Sequence, residues 1–319
     1  AEASEPVRLP FAGGYGPDLF AEVARYALAV AVLAAEREFD LVHAHDWMTY
    51  PAGLAAARAA GVPFVAHLHA TEYDRSGDHP DPRVLEVERM GLSAADVVVC
   101  VSHYTANLAR VRYGVPREKL RVVHNAVTRK EQREVWHLER TVQDPVVLFL
   151  GRVTLQKGPE YFLEAAARVV EVRPDVRFVM SGSGDMLPRM VERSARLGLA
   201  RNVFFTGFLR GKDVERMYAL ADLYVMPSVS EPFGITPLEA MALDVPVIVS
   251  RQSGVSEVLT NALKVDFWDV DELANKILAV LEYEALRAQL VREGRREVRS
   301  MRWEVRGRML RDLYSELVA

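Results

Sequence analysis

Four charged side chains, in two short segments of the second half of the chain, have the types and spacing to do chemistry. The first segment, Gly151-Arg152-Val153-Thr154-Leu155-Gln156-Lys157-Gly158, offers two cations beside glycines. The second runs from Ser230-Glu231-Pro232-Phe233-Gly234 through Pro237-Leu238-Glu239-Ala240-Met241 and sets two carboxylates eight residues apart. Each follows an apolar run that reads as a strand and leads into a helical pattern. Arg152, Lys157, Glu231 and Glu239 are therefore expected at the carboxyl ends of strands, the edge where open parallel sheets bind ligands. Cations next to a helix amino terminus suit a diphosphate, because they and the backbone N–H dipoles favour oxyanions. Two carboxylates suit sugar or ribose hydroxyls.

Competing readings stand beside each of these. Thr236-Pro237-Leu238-Glu239 also reads as a capping box, with Thr236 at N-cap, Pro237 at N1 and Glu239 at N3. Ser181-Gly182-Ser183-Gly184-Asp185 either lets backbone approach a nucleotide closely or simply turns a strand into a helix. Gly13-Gly14-Tyr15-Gly16 follows no expected strand and Lys157 precedes Gly rather than Ser or Thr, so neither a dinucleotide fingerprint nor a Walker loop is read. All eight histidines lie before residue 138. His43 with His45, and His67 with His69, form H-x-H pairs that each project from one face of a strand. The Asp and extra His ligands used by metal hydrolases have no clear counterpart in the second half, so no metal is expected.

The elements that must position these residues alternate. The pattern predicts a helix over 17–37, strands at 40–45 and 63–69, helices at 52–60 and 83–92, a strand at 96–102, a helix at 103–112 and a strand at 120–127. Residues 128–144 are charged, lack an apolar period and read as a linker. A second series then places strands at 146–150, 176–181, 203–206, 223–226, 246–250 and 263–267, followed by a helical tail from Val270 with a break near Ser300-Met301-Arg302-Trp303. Such alternation implies doubly wound parallel sheets.

At 319 residues, half of them hydrophobic, the chain has material for two cores. The net charge of −4 and the lack of a basic block argue against nucleic acid. No apolar run reaches the length of a membrane span, Tyr26 to Ala35 being the longest candidate. Cys100, the single cysteine, lies within Val97-Val98-Val99-Cys100-Val101, which excludes intrachain disulfides and fits a buried thiol in a reducing cytoplasm.

Together the Arg152–Gly158 segment, the Glu231…Glu239 pair, His43-Ala44-His45-Asp46-Trp47-Met48-Thr49 and His67-Leu68-His69-Ala70-Thr71-Glu72-Tyr73-Asp74-Arg75-Ser76-Gly77 resemble retaining glycosyltransferases of the two-domain B fold, the glycogen and starch synthase-like, family 4/5 type. The resemblance runs from about Tyr15 to the end. It implies two Rossmann-like α/β domains facing a cleft: 1–144 on the acceptor side, and 145–319 for the donor, with the last helix returning to the first domain. The family's first strand and glycine-rich loop have no counterpart here, so an incomplete first sheet is expected. Asp244 stands where the family usually has Gly.

The resemblance also implies roles. Arg152 and Lys157 hold the diphosphate and stabilise the departing nucleotide; backbone N–H groups of Gly234, Ile235 and Thr236 assist; Glu239 accepts from the ribose; Glu231 sits by the transferred sugar. Gly182 and Asn125, the latter in His124-Asn125-Ala126-Val127, line the donor side, with Ala126 replacing a family Gly. His69 touches the sugar, and His45, Asp46, Trp47, Asp74 and Arg75 lie on the acceptor side. The implied reaction is metal-independent and without cofactor, moving glucose from ADP-glucose or UDP-glucose to an α-glucan or similar oligosaccharide. A nucleotide-sugar 2-epimerase on the same scaffold, or a shortened binding protein without turnover, are the alternatives. Oligomeric state is not readable.

Overall fold

The computed structural model describes residues 18–128 and 143–319. The glycine cluster at 13–16 and most of the expected linker lie outside the described residues. The expected domain boundary at 144/145 falls just beside them.

Two separate parallel sheets organise the described chain. The first carries β1 (Val42–His45), β2 (Phe64–Leu68), β3 (Val97–Cys100) and β4 (Leu120–Val122) in sequential order. Around it lie α1 (Leu19–Ala35), α2 (Tyr50–Ala60), the short α3 (Glu72–Ser76), α4 (Pro82–Ala94) and α5 (His103–Tyr113). Every residue of β2 and β3 is buried. Parallel strands covered on both faces read as near-continuous apolar runs for that reason. Asp81 caps α4 through the Arg83 amide with Pro82 in the first turn, and the helix runs two residues past the expected Leu92.

The second sheet holds β5 (Val146–Leu150), β6 (Arg177–Ser181), β7 (Val203–Gly207), β8 (Leu223–Met226), β9 (Val247–Ser250) and β10 (Leu263–Val265). Their spatial order is β10-β9-β8-β5-β6-β7, all parallel. The winding direction reverses between β5 and β8, so the loops after those two strands open onto the switch-point crevice of a doubly wound sheet. These are the loops that carry Arg152, Lys157 and Glu231. Helices α6 (Pro159–Val172), α7 (Leu187–Arg196), α8 (Lys212–Leu220), α9 (Thr236–Ala242) and α10 (Val270–Glu282) follow β5, β6, β7, β8 and β10. The core of this domain centres on Val147, Phe149, Phe162, Phe178, Met180 and Leu273.

Two sequence expectations change. The strand expected over 120–127 ends at Val122, because after the Val123 amide bonds to Cys100 the chain leaves the sheet, and the Val127 amide reaches the carbonyl of Met301 instead. The helical tail divides twice: α10 stops at Tyr283, α11 covers Glu284–Ser300, and α12 (Trp303–Val318) follows the break at Met301-Arg302. Leu313 of α12, with Leu310 and Leu317, packs on Val65, Val97, Val99 and Val123 of the first domain. No helix among the described residues is long and apolar enough to cross a membrane.

The α12 contact gives a stability prediction. Leu313→Ala removes a buried side chain from the seam between the terminal helix and the first sheet, and should cost about 2–4 kcal/mol in urea unfolding. An unchanged midpoint would mean that α12 does not hold to that sheet in solution.

Candidate active site

The β5 and β8 loops are laced together by one carbonyl. Gln156 O accepts from the amides of Val229 (2.9 Å) and Ser230 (3.5 Å), while Gln156 Oε1 accepts from Arg152 (3.1 Å). Lys157 forms a salt bridge to Glu231, whose carboxylate also accepts from Ser228 Oγ at 3.3 Å. Glu231 is 6% exposed. Its backbone is fixed on both sides, its amide donating to Gln252 O (3.0 Å) and its carbonyl accepting from Gly254 (2.9 Å). A buried carboxylate held this firmly, with one ammonium as its charge partner, has little freedom to relax when that partner is removed. Arg152 is exposed, and its guanidinium donates to the Gln156 side chain on the same loop.

Two glycines are dictated by close approach. Gly182 has φ +144° and a Cβ there would lie 1.8 Å from Gly151 O, so the β6 loop packs backbone to backbone on the cationic loop. Gly234 has φ +97°, and a Cβ would press on Glu231 Cγ and Met226 at 3.1 Å. The glycines thus shape the crevice floor, a small cleft of about 40 Å³ whose lining includes Leu150, Gly151, Lys157, Ser228, Glu231 and Thr236.

The capping box does not form. Ile235 takes the N-cap position of α9 with no side-chain cap, and Thr236 is already helical. Thr236 Oγ1 accepts instead from Tyr224 OH at 2.7 Å, and Glu239 accepts from Tyr218 OH at 3.3 Å. Glu239 is half-buried in the first turn of α9, with its carboxylate turned to Tyr218. The two tyrosines had no signal in the sequence beyond their apolar surroundings.

The first domain reaches into this loop. Ser102 Oγ (2.6 Å) and Thr105 Oγ1 (3.2 Å) both donate to Pro232 O, Tyr104 OH pairs with Ser230 Oγ (2.9 Å), and Ser230 Oγ donates to Asp74. In the other direction Glu257 accepts from the amides of His103 and Tyr104 at the start of α5 and from His124 Nε2 (3.2 Å). Burial pushes the Glu257 carboxyl up, but the hydrogen bonds from His124 and the two amides outweigh it and hold the group below the usual carboxylate range.

The residues expected on the acceptor side divide. His45 Nδ1 and His69 Nε2 lie 2.8 Å apart, and both belong to a stack that includes His43 and His67. Burial lowers His43 to about 4 and His67 to about 2, and lowers His45 and His69 as well, so the stack is uncharged at neutral pH. Asp46, at φ +58°, bridges strand ends by accepting from the amides of His69 (2.8 Å) and Ala70 (3.3 Å). Trp47 is core, packed against Phe20. Asp74 completes a capping box with Thr71. Arg75, rather than facing the cleft, turns to Glu72 (3.5 Å), Glu88 (3.3 Å) and the carbonyl of Ala70 (3.0 Å). Asn125 is half-buried where the chain leaves β4, and Ala126 keeps a negative φ, so the left-handed turn of the family pattern is absent there.

Two facing parallel α/β sheets, with a cation–carboxylate cluster at the switch point of the second, define the B-type architecture of nucleotide-sugar transferases. Residues 130–297 match the family model of glycosyl transferases group 1 and residues 1–131 that of glycosyltransferase family 4. The chain belongs to the group 1 glycosyltransferases and is a glycosyltransferase. An uncharacterized glycosyltransferase of Methanocaldococcus jannaschii is 31% identical over 277 residues, covering 82% of this chain and 71% of that one. The structure of sucrose-phosphate synthase from Thermosynechococcus elongatus superposes with a TM-score of 0.81 at 25% identity, covering 95% of this chain and 81% of that one. Anabaena HepE in complex with UDP-glucose gives 0.79 at 23% identity, covering 93% and 84%.

Glu88, against which Arg75 rests, supplies a pH test of this packing. Both its oxygens accept from the Glu72 amide (2.9 and 3.2 Å) and Tyr113 OH donates to it. It is fully buried, and burial pushes its carboxyl up to about 7. A folded-state value above the unfolded one contributes stability that is complete below about pH 4.5 and is lost as pH rises through about 7. Relative to Glu88→Gln, the wild type should lose about 2 kcal/mol of unfolding free energy between pH 5 and pH 8. Parallel pH profiles for the two proteins would refute the shift.

Proposed function

We propose that this glycosyltransferase moves glucose from a nucleoside diphosphate glucose to an α-glucan or similar oligosaccharide, with retention at the anomeric carbon. Residues 145–319 bind the donor and residues 1–144 the acceptor. The observation that carries the reading is the Lys157–Glu231 pair at the β5/β8 switch point, with Arg152 beside it. Arg152 and Lys157 face the diphosphate with the backbone N–H groups of Gly234, Ile235 and Thr236, and offset the charge that develops on the leaving group. Glu239 takes the ribose hydroxyls. Glu231 holds hydroxyls of the sugar and counters oxocarbenium charge. His69 touches the sugar from the first domain. The acceptor attacks the face the nucleotide leaves, and a phosphate oxygen of the donor takes its proton. The complex of HepE with UDP-glucose supports a nucleoside diphosphate glucose as the donor. The single buried thiol fits a cytoplasmic setting.

A second reading of the acceptor is a phosphorylated sugar, supported by the likeness to sucrose-phosphate synthase. Mass spectrometry separates the two. The protein is incubated with UDP-glucose or ADP-glucose and either maltooligosaccharide or a panel of hexose phosphates. Hexose addition to maltooligosaccharide is the expected result, addition to a hexose phosphate would move the acceptor to the second reading, and no transfer with a donor epimer of equal mass resolved by chromatography would overturn both.

Lys157→Ala and Glu231→Gln should each lower kcat/KM by about 10²- to 10³-fold with an unchanged circular dichroism spectrum. Wild-type rates in both variants would remove these residues from the reaction.

A further inference from the structure

We propose that His43, His45 and His67 form a binding site for a divalent transition metal of the zinc, nickel or copper class, at the carboxyl edge of the first sheet and apart from the charged cluster of the second. One ring nitrogen from each of the three lies within 4.8 Å of the others. The register explains why: β1 and β2 pair with His43 opposite Val65 and His45 opposite His67, which brings the three imidazoles onto one side of two neighbouring strands.

The rest of the structure leaves each of the three rings at least one nitrogen for a metal. Tyr314 OH from α12 occupies His43 Nδ1, and His43 Nε2 is buried with no hydrogen-bond partner. Both ring nitrogens of His67 are buried without a partner. His45 engages His69 through Nδ1, which leaves its Nε2. Orphaned polar atoms in an interior cost about 1–3 kcal/mol each, so His43 Nε2 and a His67 nitrogen left without partners beside His45 favour a ligand. The Tyr314 contact on the far nitrogen of His43 is the arrangement that fixes tautomer and ring direction in histidine metal sites. Imidazole sets favour zinc, copper and nickel over magnesium or calcium.

The rings now stack at 12° (His43 on His67), 19° (His43 on His45) and 30° (His45 on His67). Metal–imidazole bonds of about 2.0–2.1 Å bring ligand nitrogens to roughly 3.3 Å of each other, so loading tilts the rings inward. His45 is exposed and can make most of that turn. Its open side leaves a fourth position for water or a substrate hydroxyl. The expectation of no metal rests on the lack of the Asp and further His ligands of a hydrolase set; three histidines on two strands need none.

The test uses the tag-free full chain, stripped with a chelator and titrated with Zn²⁺ alone by calorimetry and with Co²⁺ alone by visible absorption, with no sugar nucleotide present. One ion per chain and a ligand-field band of low-coordinate cobalt are expected. His67→Ala and His45→Ala should each weaken binding by at least about 10-fold and Tyr314→Phe by about 10-fold, while His103→Ala leaves it unchanged. His45 is exposed, so its variant answers the question even if His67→Ala fails to fold. Less than one ion per chain, or equal affinity in the wild type and His45→Ala, would overturn the proposal. Neither outcome depends on the identity of the donor or the acceptor.

Discussion

The carbonyl oxygen of Pro232 accepts from two buried hydroxyls of the opposite domain, Ser102 and Thr105, and the position of the loop after β8 follows from that contact. Pro232 directly follows Glu231, and Ser230 on the other side is held by Tyr104 and Asp74. Gln252 and Gly254 fix the Glu231 backbone from within its own domain. The carboxylate that meets Lys157 is thus placed by both halves of the molecule. Any opening of the two sheets must break this set, so domain motion and the geometry of the charged cluster are one event rather than two.

The two sheets solve different problems with the same unit. In the second, reversal of winding between β5 and β8 makes a crevice by leaving two adjacent loops with no helix between them, and the cations and carboxylates fall on those two loops. The four described strands of the first sheet run in sequential order with no reversal. Its carboxyl edge is made instead by side chains that stack, four imidazoles at the ends of β1 and β2, and by α12 laid across it through Tyr314 and Leu313.

What could be read in the sequence follows from how local the cause was. Apolar runs and the glycines between them locate the ten strands among the described residues, since period and punctuation are properties of a few neighbouring residues. The motif loops were legible for the same reason. Partners far apart in the chain were not: Tyr224 with Thr236, Ser102 with Pro232 and Tyr314 with His43 are joined by topology, and a hydroxyl has no spacing signature. The Thr236 capping box failed because Tyr224 competes for the threonine oxygen and helix α9 starts one residue early. Trp47 could line the cleft or the core equally well on sequence grounds and packs on Phe20, whereas Arg75, placed on the acceptor side by the resemblance, turns to Glu88.

Asp244 ends α9 at φ +64°, a conformation that favours glycine, and its carboxylate grips Arg295 of α11 through two hydrogen bonds. A non-glycine residue there is strained by about 1 kcal/mol in the folded chain, yet it also narrows the conformations open to the unfolded one. The carboxylate–guanidinium contact, partly shielded from water, loses less from desolvation as temperature rises. Replacing glycine by an ion-paired aspartate at this turn therefore shifts the helix end from a flexible joint to a thermally weighted clasp, whose hold on α11 strengthens in relative terms as the protein is heated.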